Sequence, residues 1–301
     1  MFFRLIFIFL LVTSVATAQT RMIVLGTAQD GGYPQMGCQR TCCVQAHEHD
    51  SLKQFVVSLA LVDFENKKWW LFEASPDIKE QFHLFAEVTN HQFNFLPDGI
   101  FITHAHMGHY TGLLQFGREV MNTSAIPVYV LPQLKKFLEM NGPWSQLVSL
   151  KNISLIGLAE EKSVILPGNI SVDAFQVPHR DEFSETAGFK ITTPSQRYLF
   201  IPDIDKWSKW DKNIVEEVKS VNIAFLDATF FSADELPNRN MSEVPHPFVT
   251  ETIELFKSES LETKRKIHFI HFNHSNALLY GFMKQQEVKK LGFSLAKQVR
   301  P

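Results

Sequence analysis

The segment Pro97-Asp98-Gly99-Ile100-Phe101-Ile102-Thr103-His104-Ala105-His106-Met107-Gly108-His109-Tyr110-Thr111-Gly112-Leu113 places three histidines within six residues, directly after a short apolar run. The turn residues Pro97-Asp98-Gly99 and the β-prone Ile100-Phe101-Ile102 read as a buried strand that hands Thr103 and His104 to a loop. His104 and His106 are two apart. In extended backbone both imidazoles project to one side and can reach one ion. His109 follows where Thr111 onward begins what reads as a helix (Tyr110 to Met121), and the turn aims it at a second ion or at the solvent side of the first. Loop histidines without a ligand role are the plain alternative for any one of the three; the HxHxxH spacing at a strand end points instead to a metal site.

The run Thr103-His104-Ala105-His106-Met107-Gly108-His109 is similar to the THxHxDH signature of the metallo-β-lactamase superfamily. It departs at Gly108, where the superfamily has an aspartate that binds the second metal. The resemblance therefore implies a second catalytic site one ligand short, with weak second-ion binding that Gly108→Asp should tighten, unless another residue such as Asp227 fills the gap.

Residues 1–18 combine a basic start (Arg4), the apolar run Leu5 to Val12 and Ala16-Thr17-Ala18, which is the pattern of a signal peptide with an A-x-A cleavage site. The mature chain is expected to begin near Gln19 and to be exported, periplasmic or secreted, with residues 19–301 forming one domain. No later run reaches transmembrane length. Taking Arg4 from the 29 basic residues leaves 28 against 32 acidic, a balance that argues against a nucleic-acid partner; the superfamily resemblance implies a small-molecule substrate instead.

Met22-Ile23-Val24-Leu25 reads as a strand, followed by a glycine-rich loop, Gly26 to Cys38, without GxGxxG or P-loop spacing. This opening resembles two superfamily branches, the pyrroloquinoline quinone biosynthesis protein B and the phosphonate-pathway cyclic phosphodiesterase, both of which follow the loop with clustered cysteines. All three cysteines, Cys38, Cys42 and Cys43, fall within six residues. A disulfide plus a free thiol is one reading for an exported chain. The phosphodiesterase resemblance implies the other, a structural zinc on Cys38 and Cys43, with Cys42 as a substitute ligand and Arg40 at the middle position. His47 and His49 are spare ligands or solvated loop residues.

Phe55 to Val62 and Lys68 to Phe72 read as a hairpin, and Ile78 to Val88 as a helix. Between them, Glu73-Ala74-Ser75-Pro76-Asp77 resembles the quinone-pathway segment in which a buried acid braces the metal loop, a role that falls to Glu73. By the same resemblance, His179 after Val177-Pro178 completes a three-histidine site with His104 and His106. Such a site leaves one position open and lowers the pKa of a zinc-bound water to about 7. Asp203, after the strand Arg197 to Ile201, matches the metal-bridging aspartate. Asp227, after Asn222 to Leu226, lines the pocket or caps the next turn. His246 precedes the helix Phe248 to Phe256 as a substrate contact. The strand Lys266 to Ile270, read as the last, delivers His271 and His274, whose HxxH spacing matches the phosphodiesterase's second catalytic metal and structural zinc.

Candidate ligands thus stand at the ends of five separated segments in an α/β (α+β) pattern. A four-layer αββα sandwich accounts for this, because two facing sheets bring their loop edges over one cleft. The implied function is an exported metallo-hydrolase holding one or two catalytic zinc ions (or iron or manganese) and a structural zinc. Its substrate class would be a phosphodiester or related ester, attacked by a metal-bound hydroxide with Asp203, His109 and Asp227 as catalytic groups. Oxidative cofactor chemistry like that of the quinone-pathway protein, at a mononuclear metal, and a metal-stabilised binding protein are the alternatives.

Overall fold

The computed structural model describes residues 20–160, 162–235, 240 and 244–301; the expected signal segment lies outside them. Period-2 alternation with apolar residues on both faces decides the architecture. In β2 (Ser58–Asp63) and β3 (Lys68–Phe72), Leu59, Leu61, Trp70 and Phe72 point one way and Ala60, Val62, Trp69 and Leu71 the other, and all are buried. Strands of this kind must be covered on both sides.

The first sheet runs in chain order, β1 (Thr20–Gly26), β2, β3, β4 (Gly99–Phe101), β5 (Ile126–Val130) and β6 (Ile153–Gly157). Strands β1 to β3 are antiparallel neighbours and β3 to β6 are parallel. The second sheet is also sequential, from β7 (Val164–Leu166) through β8 (Ile170–Val177), β9 (Thr186–Thr192), β10 (Arg197–Ile201), β11 (Ile223–Asp227) and β12 (Ile267–Ile270) to β13 (Ser294–Leu295). The strand ending at Ile270 is therefore not the last; β13 adds to its edge in parallel.

Three apolar layers separate four structural ones. Between the sheets, Leu59, Trp70, Phe72 and Phe101 meet Val172, Phe189, Tyr198 and Phe200. Phe72, Phe101 and Tyr129 stack along the first sheet with centroids 4.8 and 4.4 Å apart, while Phe189 meets Phe72 and Phe101 edge-on, the arrangement aromatic quadrupoles favour. Outside the first sheet lie helices Ile78–Val88, with Ile78, Phe82 and Phe85 inward, and Pro132–Met140, with Leu134 and Leu138 inward. Outside the second, Ile214–Lys219 and Val249–Leu255 bury Ile214, Val218 and Val249. The chain is thus the expected αββα sandwich, and no described helix is long and apolar enough to cross a membrane.

One expected helix differs. Tyr110 to Met121 is not continuous: a single turn, Met107–Tyr110, passes into a 3₁₀ segment, Thr111–Phe116. Tertiary hydrogen bonds explain the break, because Ala74 N donates to His109 O (2.9 Å) and Gly112 N donates to Ala74 O (2.9 Å). A Cβ at Gly112 would lie 2.2 Å from Ser75 O. The histidine loop is thereby pinned to the end of β3.

Candidate metal centre

Parallel pairing of β10, β11 and β12 puts the carboxyl ends of these strands on one edge, where Asp203, Asp227 and His271 emerge. Strands β8 and β4 deliver His179 and the His104 loop to the same edge. His104, His106, His179 and Asp203 form one cluster whose ligand atoms all lie within 4.8 Å of one another. His179 Nε2 stands 3.3 Å from His106 Nδ1 and 3.2 Å from Asp203 Oδ1, and His104 Nε2 stands 3.4 Å from Asp203 Oδ2.

Beside it, His109 Nε2 lies 3.7 Å from Asp203 Oδ2, so Asp203 faces both positions. His109 and His271 form the second cluster with Asp30, a residue the sequence reading did not single out. The Nε2 atoms of His104, His109 and His271 are buried without a hydrogen-bond partner. Unpartnered polar atoms are costly inside a protein, and inward-facing nitrogens around a carboxylate are a donor set that suits a divalent zinc, iron or manganese ion.

The outward nitrogens are braced, which sets the tautomers. His104 Nδ1 meets Thr103 Oγ1 (2.9 Å), His106 Nε2 meets Glu182 Oε2 (2.9 Å), and His271 Nδ1 meets Thr229 Oγ1 (2.9 Å). Glu73, fully buried, stands 3.3 Å from His109 Nδ1 and accepts from Thr103 N. Glu73 and His271 have φ of 73° and 67°, left-handed conformations that cost non-glycine residues roughly 1–3 kcal/mol and gather at functional sites.

Asp227 both caps its turn and holds a histidine. Its Oδ1 accepts from Thr229 N and Oγ1, and its Oδ2 from Ile204 N and His246 Nδ1 (2.9 Å). His246 Nδ1 also lies 3.1 Å from Asp203 Oδ1, which puts this residue at the centre itself. Burial disfavours its charged form, but Asp227 and Asp203 raise it to about 10. Asp203 is likewise opposed by burial, yet His179, His246 and His271 hold it well below the usual carboxylate range.

His109 is raised to about 9, burial being outweighed by Glu73, Asp30 and Asp203. Binding a cation at its Nε2 at neutral pH therefore displaces a proton. Affinity at this position should rise with pH until about 9, with about one proton released per ion at pH 7. Calorimetry in buffers of different ionisation enthalpy measures this, and binding without proton release contradicts it.

A third cluster joins Cys38, Cys42, Cys43 and His274, with Cys43 Sγ 3.3 Å from His274 Nδ1. The three cysteines are free thiols rather than a disulfide. Cys42 and Cys43 lie on the inner face of helix Thr41–Glu48, and burial pushes the Cys43 thiol up to about 12. His47 and His49 are exposed and outside the cluster.

The space at Gly108 is not short of a carboxylate, contrary to expectation. Asp30 Oδ1 lies 2.2 Å from where a Cβ at Gly108 would stand, and 3.6 Å from His109 Nε2. Asp227 does not fill this place. A cleft of about 700 Å³ opens here, lined by Asp30, Asp77, Met107, Phe230 and His274 among others, a size suited to a small molecule.

Residues 68–272, which hold the clustered histidines at the centre and Asp203, match the family model described as the beta-lactamase superfamily domain. The chain belongs to the metallo-β-lactamase superfamily. Within the superfamily it is 26% identical over 300 residues to coenzyme PQQ synthesis protein B of Gluconobacter oxydans (strain 621H), covering 91% of this chain and 95% of that one. Identity to the same protein of Rhizobium meliloti (strain 1021) is 23%, over 93% and 96%. Zn(2+)-bound PqqB from Methylobacterium extorquens superposes with a TM-score of 0.74 at 20% identity, covering 93% and 98% of the two chains. A diphosphatase from the PhnP family superposes at 0.63 and 18%, over 93% and 95%. The sandwich fold is thus shared over 93% of this chain.

The sequence reading missed Asp30, Glu182 and Thr229. Only Asp30 left a trace, as the sole acidic residue between β1 and Cys38.

Proposed function

We propose that this chain is an exported metal-dependent hydrolase of a phosphodiester or related ester. The observation that carries the reading is Asp203 standing between two sets of inward imidazoles, with His246 held against it by Asp227. His104, His106 and His179 would hold a zinc, iron or manganese ion, which when bound would supply Lewis acidity toward an ester oxygen and toward water. Asp203, kept ionised by its histidines, would orient the attacking water by accepting its hydrogen bond. His246 Nδ1 donates to Asp227 Oδ2 (2.9 Å), which would leave Nε2 to give a proton to the departing oxygen. Glu182, Glu73 and the threonines keep the ligand imidazoles in one tautomer. The cleft lined by Asp30, Met107 and Phe230 takes the substrate's body.

A second reading is favoured by the end-to-end similarity to coenzyme PQQ synthesis protein B: oxidative cofactor chemistry at one iron in the same three-histidine site. The two separate in one experiment. The mature chain, reconstituted with zinc, manganese or iron(II), is offered cyclic and linear phosphodiesters and lactones, with oxygen uptake followed in parallel. Metal-dependent diester turnover that falls with His246→Ala supports the hydrolase; no turnover with any metal, together with iron-dependent oxygen uptake, supports the alternative. Export rests on residues 1–18, and a mature N-terminus at Gln19 is its test.

A further inference from the structure

Gly108 raises a question that its own backbone does not answer. Its φ lies outside the left-handed range, so a side chain would be tolerated conformationally. What excludes one is Asp30: a Cβ at residue 108 would lie 2.2 Å from Asp30 Oδ1 and 2.7 Å from Asp30 Cα. The glycine loop after β1 therefore occupies the volume where the superfamily signature carries its aspartate.

Asp30 is placed there by several contacts. Gly108 N donates to its Oδ1 (3.2 Å) and Gln29 Nε2 to its Oδ2 (3.2 Å). The loop is pinned by Gln29 N donating to Phe272 O (2.8 Å) and Phe272 N donating to Thr27 O (2.9 Å), beside His271. Facing Asp30 are His109 Nε2 and His271 Nε2, both of fully buried residues and both unpartnered. Asp203 closes the set, with Oδ2 3.7 Å from His109 Nε2.

We propose that Asp30 is the carboxylate ligand of a second divalent-cation site, transposed from position 108 to the loop after β1, and that Gly108 is glycine in order to admit it. The site takes a zinc or manganese ion on Asp30, His109, His271 and the shared Asp203. This rests on the metal-dependent reading above, but not on which reaction the centre performs.

The transposition gives a reciprocal test in the full mature chain, read as metal binding rather than turnover. Zinc is titrated against a chromophoric chelator, and total metal is counted after desalting. The wild type should hold three ions, one on the sulfur cluster and two at the centre. Asp30→Asn, nearly the same in shape, should weaken one central ion by more than the roughly 10–100-fold that an outer partner of a ligand is worth, leaving the other two. Gly108→Asp alone should bind no tighter than wild type, because the new side chain meets Asp30. Asp30→Gly combined with Gly108→Asp should restore the third ion to within about tenfold of wild type. Cobalt(II) substitution gives the same count through its visible bands, with the sulfur site identified by thiolate charge transfer. The proposal is overturned if Asp30→Asn keeps three ions with unchanged affinity, or if the double variant binds no better than Asp30→Gly. Absence of diester hydrolysis with three ions bound would count against the hydrolase reading alone.

Discussion

Replacing His106 by alanine is expected to abolish metal-dependent turnover of any diester that the wild-type chain hydrolyses, while the protein stays cooperatively folded. His106 contributes one of only three imidazoles in its cluster, through Nδ1 3.3 Å from His179 Nε2. It lies outside the three apolar layers, so alanine removes no packed core volume. Deleting one preorganised donor from an active site costs roughly 10²–10³ in rate, and losing a ligand of the ion that organises the site should cost at least that. Glu182→Gln is the informative companion: at the centre it meets His106 Nε2, at 2.9 Å, its other partner being the exposed Arg180, and it should cost about 10–100-fold in affinity or activity. Direct ligation predicts that ordering, His106→Ala far worse than Glu182→Gln. Near-wild-type turnover by His106→Ala, with metal content unchanged, would remove His106 from the site.

The second large effect is expected at the sulfur cluster. Cys43 is fully buried beside Cys38, Cys42 and His274 in a small peripheral core with Ala28, Tyr33 and Ala46. Zinc binding to such thiolates carries folding free energy of roughly 10–16 kcal/mol in isolated metal peptides, and a fraction of that is at stake here. Cys43→Ser should lose the sulfur-bound ion and lower the thermal midpoint by about 10 °C, as several kcal/mol would in a chain of this size. It should also speed alkylation of Cys38 and Cys42, which the loaded wild type protects until a chelator is added. The loop from Thr27 to Cys38 carries Asp30, so the same variant should weaken the second central ion, whereas Asp30→Asn should leave the sulfur site intact. Peptide mapping that finds a Cys38–Cys43 or Cys42–Cys43 disulfide in the native protein defeats this assignment.

Local chemistry made much of the site readable in advance. A strand, a turn and three histidines at two- and three-residue spacing need no partner to be recognised, and clustered cysteines advertise themselves by composition. The strands before His179, Asp203, Asp227 and His271 were legible as apolar runs, but only the resemblance to the superfamily marked the polar residues at their ends as ligands or pocket residues. Glu73 was placed by the resemblance of the segment that it opens, Glu73 to Asp77. What its left-handed φ adds is the orientation that lets one carboxylate meet both His109 Nδ1 and Thr103 N.

By itself, the sequence determined the strands and helices and the clustering of histidines and cysteines, because hydrophobic periodicity and residue type are properties of short segments; the two-sheet sandwich and the distant donors followed from the resemblance that those clusters carry. Only the tertiary structure decided three further things. It broke the Tyr110 to Met121 helix, since hydrogen bonds from Ala74 compete with the helix's own. It made His246 part of the centre, through Asp227. And it supplied the carboxylate absent at Gly108 from a residue 78 positions away, because which atom fills a given volume depends on how distant loops pack there, and periodicity along a segment does not encode that.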